Sequence, residues 1–95
     1  MQKPSRYPNR IRQLRMEKGL TQRELAFIVG YESLSTFAQV EAGRKLPSLA
    51  TALKLEVALQ RLIPDIFPQL YEQMRGPVAE RRKKVFARKE TRDKR

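Results

Sequence analysis

Residues 21–44, TQRELAFIVGYESLSTFAQVEAGR, constrain the fold more than any other part of the chain. They open on Thr21 with Glu24 three residues later. In that pairing a hydroxyl accepts from the amide of the third helical residue and a carboxylate reaches back to the cap's own amide. Leu25, Ala26 and Val29 then recur on one helical face, and Gly30 stands where a left-handed residue would end the helix. A second run starts from Ser33 as N-cap, carries Phe37 and Val40 inward, and stops at Gly43. The spacing predicts two short helices, about 22–29 and 34–42, joined by a tight corner.

The flanking segments read the same way. Residues 1–8 contain Pro4 and Pro8 and are expected to form a flexible arm. Asn9 is the expected N-cap of a helix over about 10–18, with Ile11 and Leu14 inside and Gly19 as its stop. Ser48, after Pro47, caps a helix over about 49–60 with Leu49, Leu55 and Leu59 inside. Ile63, Ile66 and Phe67 return to the core on a short fifth helical turn. No strand pattern occurs. The expectation is all-α: one five-helix domain over 9–67 and a basic extension over 68–95. In the extension, Pro68 opens a helix to about Arg75 and Gly76-Pro77 interrupts it. Residues 78–95 are expected to be partly helical or disordered, with Val78, Val85 and Phe86 loosely on one side.

The composition excludes more than it offers. There is no cysteine and no histidine, which removes the commonest nucleophiles, bases and metal ligands. The carboxylates are scattered singly, and the four glycines read as helix stops, not as a phosphate loop. No catalytic residue, metal or cofactor is expected. No apolar run approaches the length of a membrane span, and the N-terminus MQKPSRYPNR has no apolar leader core, so a cytoplasmic location is expected. The net charge is +11. Residues 77–95 hold nine Lys/Arg against three acids, a net of +6, and the remaining 76 residues hold twelve against seven, a net of +5. Such an excess implies a polyanionic partner.

Two short helices joined at Gly30 inside a five-helix domain form the helix-turn-helix arrangement, in which the first helix crosses the DNA backbone and the second enters the major groove. The second helix suits that role. Outward over its first two turns it shows Leu34, Ser35, Thr36 and Gln39, where a solvated helix would carry Lys and Glu. Gln can donate to and accept from adenine edges, Ser and Thr can meet either kind of edge, and a methyl-bearing group can meet the thymine methyl.

Residues 9–67 resemble the phage repressor/Cro-type helix-turn-helix family, often called the XRE family. The resemblance is carried by Ile11, Leu14-Arg15, Gly19-Leu20-Thr21-Gln22, Glu24-Leu25-Ala26, Gly30, Ser35-Thr36-Phe37, Val40-Glu41, Gly43-Arg44, Pro47-Ser48-Leu49 and Ile66-Phe67. More narrowly, the run GYES followed by V-E-x-G-R-x-x-P-S is similar to small bacterial regulators found on mobile elements. The resemblance implies that Gln22 and Arg23, at the start of the first helix of the pair, meet the DNA backbone. Arg44 and Lys45 match backbone-contacting positions. Arg10 and Arg12 match either phosphate contacts or plain surface charge. Arg15 and Glu41 match a structural ion pair linking the first and third helices. It further implies a homodimer on double-stranded DNA, with half-sites about one helical turn apart, that blocks polymerase near a promoter.

Three features depart from the family pattern. The span from Gly30 to Gly43 is one residue longer than is common, which leaves Ser33 or Leu34 to take the first base-reading position. Ala42 replaces an asparagine often found before the glycine. Phe27 and Ile28 stand where relatives carry polar residues, so Phe27 is expected to pack on residues 69–75, on a second subunit, or in a slightly wider core. The extension is expected to add sequence-independent affinity through counterion release. A competing reading is an antitoxin that binds its operator and masks a toxin partner through the C-terminal segment. An RNA-binding tail is a further reading, weakened because Phe86 alone is available there for base stacking.

Overall fold

A computed structural model of the chain describes residues 5–93. Six helices follow one another: α1 (Ile11–Glu17), α2 (Gln22–Val29), α3 (Leu34–Glu41), α4 (Leu49–Leu59), α5 (Ile63–Ile66) and α6 (Pro68–Asp93). There is no strand among the described residues. Helix α2 packs on α1, α3 and α4; α5 packs on α4 and α6. Among the described residues no helix is long and apolar enough to cross a membrane.

Local chemistry accounts for the ends of α2, α3 and α4. Thr21 Oγ1 accepts from the Glu24 amide at 3.0 Å while Glu24 Oε1 accepts from the Thr21 amide at 2.8 Å, so both halves of the capping box form. Ser33 and Ser48 cap α3 and α4 by accepting from the amides of Thr36 and Thr51. Gly30 ends α2 at φ 92°, and the amides of Gly30 and Tyr31 both donate to Ala26 O. A side chain at φ 92° would be strained, so the corner between α2 and α3 depends on this glycine. Helix α1 begins one residue later than Asn9 alone would set it. Arg10 occupies the cap position without a side-chain bond, and Asn9 Oδ1 accepts from the Ile11 amide at 2.9 Å.

The core draws on every one of the first five helices. Ile11, Leu14, Leu25, Phe37, Val40, Leu55, Leu59 and Ile66 are almost wholly buried. Each such side chain contributes roughly 1.5–3 kcal/mol by leaving water. Tyr31 tilts against Phe37, with ring centroids 5.3 Å apart. Leu49, expected inside, is 74% exposed. It lies six residues before Leu55, off the helical stripe that Leu55 and Leu59 share.

Two further expectations change. Gly76-Pro77 does not interrupt the extension: α6 runs through both as one helix. Proline removes one ladder bond and crowds the preceding turn, but Gly76 has no Cβ to meet the ring and the exposed turn leaves the freed Gln73 carbonyl to water. The expected flexible arm, residues 1–8, falls partly outside the described residues. The part within them is bound: the Tyr7 amide donates to Gly43 O at 2.8 Å and Ser5 Oγ donates to Ala42 O at 3.0 Å. Of the basic tail, residues 94–95 lie outside the described residues.

Candidate nucleic-acid interface

Helix α3 offers an open face of small, uncharged groups. Ser33, Ser35, Gln39 and Ala42 are exposed, and Thr36 is half-buried beside them. Ser35, Gln39 and Ala42 recur at four and three residues and so form one stripe along the helix. Ser33 Oγ and Ser35 Oγ lie 3.0 Å apart, and Ser33 Oγ also accepts from the Thr36 amide. Leu34 differs from its expected outward placement: it is half-buried and packs against the core. It stands three residues before Phe37, on the same stripe, so the helical period puts it inward. The period also marks Ala42 as outward, where the family pattern alone shows it only as a missing asparagine.

The one carboxylate on α3 is neutralised in place. Arg15 Nε and one terminal nitrogen donate to the two oxygens of Glu41 at 3.1 and 2.9 Å, and its other terminal nitrogen donates to Leu20 O at 2.8 Å. The side chains are only 13% and 6% exposed. A bidentate pair with a third bond satisfies both charges where an unpaired one would be costly. It ties α1 to α3 and removes negative charge from the open face.

Cations surround that face. Arg44 and Lys45 are exposed just past α3, and their amides donate to Gln39 O at 2.9 and 3.3 Å, which fixes the start of the loop. Arg23 is exposed and Gln22 half-buried in the first turn of α2. The three ion pairs among the described residues are Arg15–Glu41, Arg61–Glu17 and Arg75–Glu72; none involves Arg23, Arg44 or Lys45. Glu24 is the acid nearest them in α2. The Thr21 amide, and after it the Thr21 hydroxyl, hold its carboxyl below the usual range. Arg10 is differently committed. Its guanidinium donates to Gln13 Oε1 and Asp65 O, and its amide donates to Ile66 O, along the edge between α1 and α5. Among the described residues no three His, Cys, Asp or Glu side chains converge to hold a metal.

Apolar groups are exposed on two other surfaces. Phe27 is 83% exposed, so it packs neither on residues 69–75 nor in a wider core. Phe27 lines an apolar hollow with Leu20 and Ile28, and Ile28 borders a second one with Leu53 and Val57 on the outer faces of α2 and α4. A groove between the start of α4 and the start of α6 is lined by Leu46, Leu49, Leu70, Tyr71 and Met74.

The helix-turn-helix family model matches residues 11–65, more than half of the chain and ending before α6. Among solved structures the chain is similar to the crystal structure of the restriction-modification controller protein C.AhdI from Aeromonas hydrophila. The sequence identity is 41% and the TM-score 0.55, over 61% of this chain and 86% of that chain. No curated protein matches the sequence.

Proposed function

The chain belongs to the helix-turn-helix family and is a DNA-binding transcriptional regulator; from that premise we propose that it is a repressor that reads a palindromic operator as a dimer, with α3 in the major groove. One observation carries the reading. The outward stripe of α3 is small and uncharged, its only carboxylate is closed off by Arg15, and Arg44 and Lys45 follow with no ion-pair partner among the described residues. Ser33, Ser35, Thr36 and Gln39 are the base-reading groups, with Leu34 as the support behind them. Gln39 is the strongest discriminator, because a bidentate amide distinguishes bases by about 1–3 kcal/mol. Gln22, Arg23, Arg44 and Lys45 hold the backbone, assisted by the amides at the α2 N-terminus. Arg10 is a peripheral contact, since two of its guanidinium nitrogens already bond Gln13 and Asp65 within the protein.

The dimer would use the groove at Leu46, Leu49, Tyr71 and Met74. That surface begins one residue after Lys45, so a two-fold axis beside it brings two copies of α3 to one face of the duplex. The Phe27 patch is the competing surface. Sedimentation of Leu49→Asp and Phe27→Ser separates them, because only the true interface yields monomers. A dimer on an operator overlapping a promoter would exclude polymerase, and a promoter-reporter assay tests the sign of control.

The deciding experiment is selection from random duplex DNA at about 150 mM salt, where non-specific binding is weakened. Enrichment of an inverted repeat with half-sites about ten base pairs apart supports the reading. Bound DNA without a consensus sinks the assignment of α3. A second reading, a protein partner on the extension, is favoured by Val78, Val85 and Phe86, which α6 leaves exposed. The likeness to a controller protein favours regulation over an antitoxin role.

A further inference from the structure

The last carbonyls of a helix have no partner within it. At the end of α3, Ala38 O, Gln39 O and Val40 O accept from amides of the turn that follows, and a second set of donors reaches Val40 and the turn from more than thirty residues upstream. Asn9 Nδ2 donates to Val40 O at 2.9 Å, Ser5 Oγ to Ala42 O at 3.0 Å, and the Tyr7 amide to Gly43 O at 2.8 Å. Gly43 permits this approach. Its φ is 78°, and a Cβ there would stand 2.8 Å from both Ser5 Cβ and Tyr7 O. Residues 5–9 are therefore a strap laid across the turn that leads into Arg44 and Lys45.

Arg6 sits between two anchors, on residues 42 and 43, and is exposed. It forms no ion pair among the described residues. The nearest acid in sequence to the turn, Glu41, has both oxygens committed to Arg15. The turn thus gathers Arg6, Arg44 and Lys45, and no carboxylate among the described residues pairs with them. Capping alone would need the Ser5 and Asn9 side chains and the Tyr7 amide, and not a cation between them. Three unpaired cations held by a tethered backbone suit a row of phosphates.

We propose that residues 5–9 form a DNA-binding strap, which locks the turn after α3 so that Arg44 and Lys45 are held for the duplex backbone and adds Arg6 as a third phosphate contact. The strap rests on the reading of the chain as a binder of duplex DNA, and its test separates the two. The full chain, Arg6→Ala and Gly43→Ala are titrated with the selected operator and with an unrelated duplex over a range of salt. Arg6→Ala should keep the wild-type Tm and lower the salt slope by about 0.9, the value of one phosphate neutralised. The loss should be equal on both duplexes, because phosphates carry no sequence. Gly43→Ala, which unseats the strap, should weaken binding at least as much. Wild-type slope and affinity in Arg6→Ala overturn the contact while leaving the proposed function standing. Wild-type binding by Gly43→Ala overturns the positioning role. A wild-type protein with no salt-dependent duplex binding overturns the strap together with the function it rests on.

Discussion

The five-helix body and α6 hold their shapes by different means. Every buried side chain among the described residues lies between Ile11 and Phe67. Beyond Leu70, none of the described side chains of α6 is buried; the helix is held by its own backbone bonds and by neighbours one turn apart. Arg75 pairs with Glu72 at 3.0 Å, and the Arg82 guanidinium lies 4.4 Å from the centre of the Phe86 ring. Such local interactions are individually weak at an exposed helix surface, where solvent screens them. The body is stabilised by groups distant in sequence and α6 by groups nearby. Damage to one should not reach the other, and the two should also divide the work on DNA, the body reading bases and α6 supplying charge.

The largest test of that separation is a pair of aromatic deletions. Phe37→Ala removes a fully buried ring and should cost about 3–5 kcal/mol, read as a steep fall in Tm. Phe86→Ala, half-exposed on α6, should stay within about 0.5 kcal/mol. Equal shifts would break the comparison. Next comes removal of residues 77–95, which carry nine Lys/Arg. Tm should hold, while the salt dependence of DNA binding should flatten by several units of slope, at about 0.9 for each phosphate that is no longer neutralised. An unchanged slope would instead mark the tail as a surface for a protein.

A smaller effect belongs to the capping box. Thr21→Ala should lower the stability of the body by about 1 kcal/mol, measured by denaturant unfolding. The smallest effects are acid-dependent. Glu24 titrates below its ordinary 4.5 because the Thr21 amide, then its hydroxyl, favour the charged form. A lowered carboxyl stabilises the fold above its unfolded pKa, and the gain is lost as pH falls through the folded value. Glu24→Gln should flatten that part of the acid limb of the Tm profile. Glu72 is lowered by its hydrogen bonds from Arg75, so Glu72→Gln should change only the helical signal of α6 and leave Tm alone.

The elements that were legible in the sequence share one physical property: their signals act over three or four residues. Thr21 with Glu24, Ser33, Ser48 and Gly30 announce helix ends because donor and acceptor lie within one turn. The periodicity of Leu25, Val29, Phe37 and Val40 marks the inner face for the same reason. The Arg15–Glu41 pair, 26 residues apart, was legible only through family resemblance. Leu34 and Leu49 each open a helix, where a single turn gives the period little to act on. Leu49 reads as core by its type and Leu34 as outward by its polar neighbours, and both readings reverse once the stripes of Leu55 and Phe37 are followed back to them. Phe27, by contrast, lies on a clear helix, and its exposure follows from what the rest of the chain does not cover.

By itself the sequence determined an all-helical chain, the limits of α2, α3 and α4, and the small uncharged groups that α3 carries. Those depend on side chains satisfying backbone groups close by. Only the tertiary structure decided that residues 5–9 cross the end of α3, that Phe27 stays bare, and that α6 passes through Pro77. The strap needs two segments more than thirty residues apart to meet at Gly43, and no local preference encodes such a meeting. The proline is tolerated because the surrounding turn is open to water and its preceding residue has no Cβ, and the exposure of that turn is set by what packs around it.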